Sequence, residues 1–239
     1  MKKIVISDIH GNMEALNRVW EYIDTVEGER EIICLGDTVG YGPNPAECME
    51  MIGLRTDKIC LGNHDYAMVS NELDYQINQY ALEAIEWTRD KLDDGLRNSI
   101  REFSEQIDGD NVLYVHASPD NPMEWKYISN KRDAESSMKK MDKSLCFVGH
   151  SHIPGVYTDY ALHRKKRGTE LSREGKSIVN VGSVGQPRDG SPLLSFAVFD
   201  DVEWSVEIVR LEYDVGKTMG KMERAGLPLF LAQRLKVGR

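Results

Sequence analysis

The stretch "LCFVGHSHIPG", from Leu145 to Gly155, decides the fold, because an apolar run ends in a glycine followed by two histidines. A short apolar run bounded in this way is typical of a buried strand. His150 and His152 would then lie where the strand opens into a loop. At such a place, two imidazoles are either ordinary loop residues or two ligands directed at one point.

The same arrangement, an apolar run followed by small residues and ligand-type side chains, occurs at four other places. These are Ser7-Asp8-Ile9-His10-Gly11, Gly36-Asp37, Gly62-Asn63-His64-Asp65 and His116. Five of the six histidines lie in these clusters, and only His163 lies outside them. Sites in parallel α/β sheets form at the carboxyl ends of strands, so the clusters are predicted to lie together.

Strand and helix patterns alternate in the first 65 residues. Strand patterns occur at Lys2–Ser7, Glu31–Asp37 and Lys58–Asp65, and helical patterns at about 12–24 and 45–53, with Asn44 as a candidate cap of the second helix. This βαβαβ order indicates a parallel sheet with helices on its faces. From Val156 onward, short and frequent strand patterns indicate mixed or antiparallel pairing in a second sheet. The prediction is an α/β fold with two mixed sheets.

Two further segments are predicted to be helical. In the segment from about 66 to 107, apolar residues recur at helical spacing, at Ile77, Ala81, Ala84, Ile85 and Leu92. The segment from about 214 to 236 reads as two short helices separated by Gly226-Leu227-Pro228. No repeat or linker interrupts the sequence, so a single domain spanning 1–239 is predicted. The 66–107 segment forms either a wall of the substrate cleft or an interface.

Composition limits the class of protein. The chain has a formal net charge of −9, which argues against a stable nucleic-acid complex but allows a small phosphorylated substrate beside bound cations. No apolar stretch approaches the ~20 residues of a membrane helix. The first apolar run is shorter than the ~7–15 residues of the apolar core of a signal peptide. The four cysteines fit buried thiols, and a cytoplasmic protein is expected.

The candidate ligands combine oxygen and imidazole donors. They are Asp8, His10, Asp37, Asn63, His116, His150 and His152. Imidazole with carboxylate suits Mn, Fe or Zn, and the absence of thiolates argues against a structural zinc or iron–sulfur site. Seven ligands suit two ions that share a carboxylate. Two such ions stabilise both the attacking and the leaving oxygen of an in-line phosphoryl displacement. Each motif alone is more often a cap or a tight turn than a site, but all five in order favour a site.

The ordered set resembles the calcineurin-like metallophosphoesterase superfamily. The motifs that carry the resemblance are Asp8-x-His10, Gly36-Asp37, Gly62-Asn63-His64-Asp65, His116 and Gly149-His150-x-His152. The flanking "LGDTVGYGPNP", "HASP" and "VNVGSVGQPRDG" are similar to its bacterial and archaeal branch of small phosphodiesterase-like proteins. The resemblance implies a four-layer α/β/β/α sandwich.

By position, the resemblance also implies the ligands of each ion. One metal would be held by Asp8, His10 and His152, and the other by Asn63, His116 and His150, with Asp37 bridging them. The expected cofactors are two divalent ions, with manganese first and iron, zinc, nickel or magnesium as alternatives. A hydroxide that bridges the ions would attack phosphorus.

His64 resembles the family's histidine that faces the scissile phosphate. It would protonate the leaving group or stabilise charge, and Asp65 would orient its ring. Many members carry G-D-x-x-D-x-G, but Gly36–Gly42 lacks the second aspartate and the arginine that follows in phosphoprotein phosphatases. This departure weakens a protein-phosphatase assignment. Arg188 either approaches the site and holds a phosphate or is a solvated loop arginine.

The expected function is a two-metal phosphoesterase acting on a phosphodiester or a small phosphorylated metabolite. The alternatives are a phosphomonoesterase, of the dinucleoside-polyphosphate or protein phosphatase type, and a non-catalytic metal-binding interaction module. Four aromatic residues near the motifs either stack on a nucleobase or pack loops: Tyr41, Tyr66, Trp125 and Tyr127. The sequence does not predict an oligomeric state.

Overall fold

A computed structural model of the chain describes residues 1–73, 78–164 and 168–239. Ile77 of the predicted helical pattern lies outside the described residues. The strands are β1 (Lys2–Ile6), β2 (Arg30–Cys34), β3 (Gln106–Asp108), β4 (Val112–Val115), β5 (Leu145–Val148), β6 (Gly155–Thr158), β7 (His163–Arg164), β8 (Thr169–Glu170), β9 (Ser177–Asn180), β10 (Leu194–Asp200) and β11 (Ser205–Leu211). The helices are α1 (Met13–Asp24), α2 (Pro45–Gly53), α3 (Asn63–Tyr66), α4 (Gln79–Lys91), α5 (Asp94–Ile100), α6 (Lys131–Met138), α7 (Val215–Arg224) and α8 (Leu229–Arg234).

The strands form two mixed sheets, as predicted. The first has six strands in the order β2-β1-β10-β11-β8-β7, and the second has five in the order β3-β4-β5-β9-β6. In the first sheet, β1 and β2 are parallel, with Ile6 opposite Cys34. In the second, β4, β5 and β9 are parallel to one another. The parallel strands therefore end on the same side of each sheet, and the predicted ligand clusters follow these ends.

The third predicted strand is reduced to single bridges. Ile59 pairs with Cys34, and Cys60 pairs with Ser104. The ladder with β2 stops at Gly62, because its N–H donates to Oδ2 of Asp65 and the carbonyl of Gly36 accepts from the N–H of Asp8 instead. The chain then passes close to the loop after β2, where a Cβ on Gly36 would lie 2.5 Å from the main-chain nitrogen of Gly62.

Alternating side chains cover both faces of each sheet. Ile4 and Ile6 of β1 pack with buried residues of α1, whereas Val5 packs with Phe147 of the other sheet. On β5, Phe147 faces the first sheet, while Val148 packs in a cluster with residues of α6. Successive residues of a strand point to opposite faces, so this distribution buries each sheet on both sides. It is the distribution expected of a four-layer α/β/β/α sandwich.

The first two helices begin where the sequence places them, but only one is capped as expected. The side chain of Asn12 accepts a hydrogen bond from the N–H of Ala15 at the start of α1. Asn44 precedes α2 without capping it, which corrects that expectation. Its amide donates to Glu47 at 2.8 Å, and its oxygen accepts from Lys221 at 3.0 Å. The Asn44 side chain thus ties α2 to α7.

The C-terminal helices pack against α4 and the loop after β2. Ala81 and Ala84 of α4 lie in one buried cluster with Met222 of α7 and Leu231 of α8, and Tyr41 belongs to the same cluster. Because Tyr41 belongs to the loop that carries Asp37, the chain terminus is held beside the ligand clusters. Within the described residues, no helix has the length and apolar character needed to span a bilayer.

Candidate metal centre

The loops that follow β1, β2 and β5 are hydrogen-bonded to one another. The N–H of Asp8 donates to the carbonyl of Gly36 at 3.0 Å, and the N–H of His10 donates to that of Asp37 at 2.9 Å. The N–H of His150 donates to Oδ2 of Asp8 at 3.0 Å and so connects the second sheet to the first. The strand-end clusters therefore converge, as the sequence predicts.

Ligand-type atoms lie close enough together to hold metal ions. In each of three sets of residues, the ligand atoms lie within 4.8 Å of one another. The sets are Asp8, His10 and His152; His10, Asp37 and His64; and Asp37, His116 and His150. All of these residues are buried. Oδ1 of Asn63 lies 3.3 Å from Nε2 of His116, beside the third set. The structure thus brings all seven predicted ligands together.

Four of the histidines each donate one ring N–H to a main-chain carbonyl. The pairs are His10 Nδ1 with Val39 (3.0 Å), His116 Nδ1 with Leu35 (2.9 Å), His150 Nε2 with Trp125 (2.9 Å) and His152 Nδ1 with Gln186 (2.6 Å). A carbonyl oxygen only accepts, so these ring nitrogens carry the proton. In each neutral ring the other nitrogen carries a lone pair, which is the form that binds metal.

These lone pairs face each other at short range. Nε2 of His10 lies 3.2 Å from Nε2 of His152, and Nε2 of His116 lies 3.2 Å from Nδ1 of His150. Oδ1 of Asp8 lies 3.1 Å from Nε2 of His152, but it is buried without a hydrogen-bond donor among the described residues. Lone pairs at this distance repel unless a cation or a proton lies among them. The donor set therefore fits divalent metal ions.

One oxygen of Asp37 faces both groups of histidines. Its Oδ2 lies 3.7 Å from Nε2 of His10 and 3.3 Å from Nε2 of His116. Its Oδ1 is held by the N–H of His64 at 2.8 Å. A carboxylate placed between two groups of ligands in this way is suited to bridge two ions.

Burial and charge act against each other at the buried carboxylates. Burial alone would raise the pKa of Asp8, but the electrostatic influence of His152, followed by that of His116, outweighs burial and holds that pKa well below its usual value. Burial opposes ionisation of Asp37 in the same way, and His116 most strongly lowers the pKa of that carboxyl. Both carboxylates are therefore ionised at neutral pH and attract positive charge into the site.

The imidazoles divide into neutral and protonated rings in the absence of ions. Burial lowers the pKa of His150 to about 3, assisted by the charge of His116. Burial also acts to lower the pKa of His116, but the adjacent Asp37 carboxylate outweighs it and raises that pKa to about 9. A histidine must lose this proton before it can bind metal. The proton on His116 therefore competes with a cation for the ring.

Five of the predicted ligands have left-handed backbone conformations. The φ angles are 54° at Asp8, 50° at His10, 52° at Asp37, 61° at His150 and 59° at His152. Residues with a Cβ rarely adopt this region, which costs about 1–2 kcal/mol per residue. Such strain persists where the surrounding structure determines the backbone, and it concentrates at functional sites.

His64 lies at the edge of the ligand groups. Its ring centroid is 4.8 Å from that of His10 and 4.4 Å from that of Tyr41. Burial lowers its pKa to about 4, so the ring is neutral at pH 7. Within the described residues, the buried Nδ1 of His64 has no hydrogen-bond partner. The ring therefore keeps unsatisfied hydrogen-bonding capacity next to the ligands.

Asp65 holds the backbone around Asp37 rather than the ring of His64. Its Oδ2 accepts from the N–H groups of Asp37 (2.6 Å) and Gly62 (3.3 Å). Its Oδ1 accepts from those of Thr38 (3.0 Å) and Val39 (3.3 Å). The expectation that Asp65 orients the His64 ring is therefore wrong. Sequence proximity suggested that pairing, but α3 turns the two side chains of adjacent residues in different directions.

Arg188 lies at the mouth of the centre. Its Nε and Nη2 donate to Oε1 of Gln186 at 3.2 and 2.8 Å, and its guanidinium carbon is 5.6 Å from the ring centroid of Tyr41. Gln186 was not predicted as a site residue, yet its main-chain oxygen also fixes His152. The signal was present in the flanking motif "VNVGSVGQPRDG", which contains both Gln186 and Arg188.

A cleft of about 220 Å³ opens beside the ligands. Its lining includes Tyr41, Asn63, His64, Trp125, Tyr127 and His150. The Tyr127 ring stacks on that of His150, with centroids 4.0 Å apart, and remains 54% exposed. Trp125 reaches toward Tyr66, with ring centroids 6.2 Å apart. Three of the four aromatic residues singled out in the sequence thus line the cleft.

Residues 1–203 match the model of the calcineurin-like phosphoesterase superfamily domain. The chain belongs to this superfamily. An uncharacterised protein of Methanocaldococcus jannaschii is 43% identical to it, with 98% of this chain and 97% of that protein covered. The crystal structure of a metallophosphoesterase from Sphaerobacter thermophilus is 34% identical, with a TM-score of 0.86 and both chains covered in full. A hypothetical protein from Pyrococcus horikoshii shares the fold, with a TM-score of 0.81 and 21% identity over all of this chain and 98% of that one.

Membership of the calcineurin-like phosphoesterase superfamily supports phosphoesterase activity, and the buried His/Asp groups are candidate ligands for divalent metal ions. The superfamily assignment and the α/β fold with two mixed sheets, both predicted from the sequence, are confirmed.

Proposed function

We propose that this protein is a dinuclear metal-dependent phosphoesterase that hydrolyses a phosphodiester bond in a small substrate. The observation that carries the proposal is the position of Asp37 Oδ2, between two pairs of facing histidine nitrogens. A single structural metal would not need two such pairs, and a binding module would not need a buried, unsatisfied imidazole beside them.

The ligands divide between two ions as the resemblance implies. Asp8, His10 and His152 would hold one ion, Asn63, His116 and His150 would hold the other, and Asp37 would be shared. When bound, the ions supply Lewis-acid chemistry and lower the pKa of water so that it becomes a nucleophile near pH 7. Manganese suits this mixture of carboxylate, amide and imidazole donors, and iron, zinc, nickel and magnesium are the alternatives.

His64 is proposed to stabilise charge on the phosphoryl group. Because burial lowers its pKa to about 4, the ring is neutral at pH 7 and offers an N–H rather than a readily transferred proton. A neutral donor fixed at the edge of the cleft is suited to an oxygen on which negative charge develops. Of the two roles considered for this histidine, charge stabilisation is therefore the better supported.

The cleft supports a diester substrate over a phosphoprotein. It is lined by Trp125 and the half-exposed ring of Tyr127, which can contact an aromatic or sugar group beyond the phosphorus. The loop after Asp37 places Gly40 and Tyr41 where phosphoprotein phosphatases carry an aspartate and then an arginine. Arg188 supplies a positive charge from a different loop.

The test is hydrolysis of bis-p-nitrophenyl phosphate and p-nitrophenyl phosphate by metal-stripped protein reloaded with Mn²⁺, Fe²⁺, Zn²⁺, Ni²⁺ or Mg²⁺. Turnover of the diester that requires metal and falls in His64→Ala is expected. Asp57→Asn, which changes a residue outside the site, is the matched control and should retain wild-type turnover. Turnover of the monoester alone would favour a phosphomonoesterase, and two bound ions without turnover of either compound would contradict the proposal.

A further inference from the structure

Two of the proposed ligands, His150 and His152, lie in consecutive tight turns. The N–H of Ser151 donates to the carbonyl of Gly149 at 2.7 Å, and His150 lies between them with a φ of 61°. A hydrogen bond across three residues around a positive φ is the classic γ-turn, which is rare and strained. In the second turn, Oγ of Ser151 accepts from the N–H of Ile153 at 3.4 Å, and His152 lies between them with a φ of 59°. Each histidine is thus the middle residue of a three-residue turn.

One side chain, that of Asn180, is hydrogen-bonded to both turns. Its Nδ2 donates to the carbonyl of Gly149 at 2.8 Å and to Oγ of Ser151 at 2.8 Å. Its Oδ1 accepts from the N–H of Gly182 at 2.9 Å. A carbonyl only accepts and a main-chain N–H only donates, so these partners fix the direction in which the amide points. Asn180 is fully buried, and both N–H bonds of its amide are used for the turns.

Asn180 reaches the turns because it ends the strand next to β5. It is the last residue of β9, and it lies opposite Val148 in the parallel register of the two strands. The N–H of Val181 donates to the carbonyl of Val148 at 2.9 Å, just before the ligand loop begins. One residue further along the chain, the carbonyl of Gly149 accepts from the side chain of Asn180. This side chain thus extends the contact between the two strands into the loop that carries both histidines.

The first turn is held on its other side by the loop after β1. The N–H of His150 donates to Oδ2 of Asp8 at 3.0 Å. A Cβ on Gly149 would lie 2.5 Å from the same oxygen and 2.0 Å from Oγ of Ser7, so the turn is packed closely against this loop. Strained backbone persists only where the surrounding structure determines it. Asp8 is itself a proposed ligand, so Asn180 holds the turn from outside the ligand set.

We propose that Asn180 is a positioning residue for both metal ions, because its amide holds the two turns that carry His150 and His152. The proposal rests on the proposed dinuclear function, in which these histidines belong to different ions. The hydrogen bonds of Asn180 go to the main chain and to Ser151 rather than to either ring, so it acts on the ions through the backbone. Partners that orient metal ligands typically contribute about 10–100-fold to metal affinity.

Strand β9 also supplies the matched control. Ser177, at the other end of this strand, is fully buried, and its Oγ lies 2.6 Å from the hydroxyl of Tyr160. Ser177→Ala therefore removes a buried hydrogen bond from the same strand without touching the ligand loop. It should lower the melting temperature of the metal-free protein and leave its affinity for metal unchanged.

The first experiment is titration of the metal-free protein with Mn²⁺ by isothermal titration calorimetry. Asn180→Ala is expected to raise the dissociation constants of both ions by about 10–100-fold. Ser151→Ala removes one partner of the amide but keeps the main-chain bond of the γ-turn. It should therefore weaken chiefly the ion that His152 would hold. Electron paramagnetic resonance distinguishes a coupled pair of Mn²⁺ ions from a lone ion, and at equal Mn²⁺ the signal of the pair should be smaller in Asn180→Ala than in wild type.

Wild-type affinity for both ions in Asn180→Ala would overturn the proposal, and so would an equal loss in Ser177→Ala. Melting temperatures of the metal-free proteins show which variants are folded during the titration. If Asn180→Ala is unfolded, Ser151→Ala replaces it, and unchanged affinity for both ions in that variant would overturn the proposal.

A second experiment separates this role of Asn180 from the phosphoesterase function. In hydrolysis of bis-p-nitrophenyl phosphate, the Mn²⁺ concentration that gives half-maximal turnover should rise in Asn180→Ala by the same factor as the dissociation constants. Turnover by wild type, with unchanged metal affinity in Asn180→Ala, would leave the function standing and refute the positioning role. Two ions bound to wild type without turnover of any ester, with weaker binding in Asn180→Ala, would support the positioning role and refute the function.

Discussion

Nε2 of His10 and Nε2 of His152 lie 3.2 Å apart, and each ring donates its other N–H to a main-chain carbonyl. Both facing nitrogens therefore carry lone pairs in the neutral rings. The two histidines are far apart in the sequence and follow strands of different sheets, so the folded chain holds them together against their mutual repulsion. A cation between them turns this repulsion into attraction.

Metal removal is expected to destabilise the protein. Ions that bind only the folded chain raise its stability by about 2.7 kcal/mol at a concentration of 100 times the dissociation constant. Differential scanning calorimetry should show a lower melting temperature after chelation and recovery with Mn²⁺. Metal analysis should find two ions per chain in wild type and about one in His152→Ala. Equal melting temperatures before and after reloading with every candidate metal would contradict the assignment.

His64→Ala is expected to lower kcat while leaving the metal in place. The ring lies 4.8 Å from that of His10 but is not in either set of assigned ligands. Loss of one donor to developing charge typically costs about 10²–10³ in kcat. Steady-state hydrolysis of the diester and metal analysis on the same sample would check this. A variant that loses an ion would instead identify His64 as a ligand, as its proximity to His10 and Asp37 allows.

Asp65→Asn is expected to destabilise the loop that holds Asp37. The carboxylate accepts four main-chain N–H groups, and an amide would direct its own N–H₂ at some of them. A buried donor left unsatisfied costs about 1–3 kcal/mol. Urea unfolding should show this loss, whereas Asp57→Asn, at an exposed position, should change stability by less than about 0.5 kcal/mol. Equal stability of the two variants would refute the holding role.

Gly40→Ala is expected to displace His64. A Cβ at Gly40 would lie 2.4 Å from Nδ1 of His64, at a φ of +89°. Gly28 has a similar φ of +85° with nothing within 4 Å of its would-be Cβ, so Gly28→Ala controls for backbone strain alone. Both variants should lose about 1–2 kcal/mol of stability. Only Gly40→Ala should also lose about 10²-fold in kcat, and an equal kcat in both would show that the contact does not position His64.

The sequence predicts which ligand-type residues converge, because each of them lies just after a strand or in a short cluster beside a strand end. Asp8 and His150 are hydrogen-bonded neighbours in space for this reason, although they belong to different sheets. The role of Asp65 was not predictable, since its partners are main-chain N–H groups that no residue type reveals. The main-chain oxygens that orient the histidines were not predictable either, since residue type does not reveal which carbonyl a ring will contact.

The packing of α8 was also beyond reach of the sequence pattern. Nothing in its apolar residues predicts that Leu231 lies in one buried cluster with Tyr41, which belongs to the loop that carries Asp37. The third strand was overpredicted, because the apolar run before Gly62 satisfies a strand pattern while the N–H of Gly62 itself donates to the Asp65 side chain. Local patterns identify the residues at the end of a strand, whereas tertiary packing decides which distant residues join the site.

The left-handed backbone at five of the proposed ligands has a consequence for the protein in the cell. The unfavourable backbone angles and the facing lone pairs lower the free energy of unfolding of the metal-free chain. Bound ions raise it again. When ions are scarce, a larger fraction of molecules would be unfolded at any moment and open to proteases. We therefore expect the cellular lifetime of this protein, and so its abundance, to follow the supply of its metal.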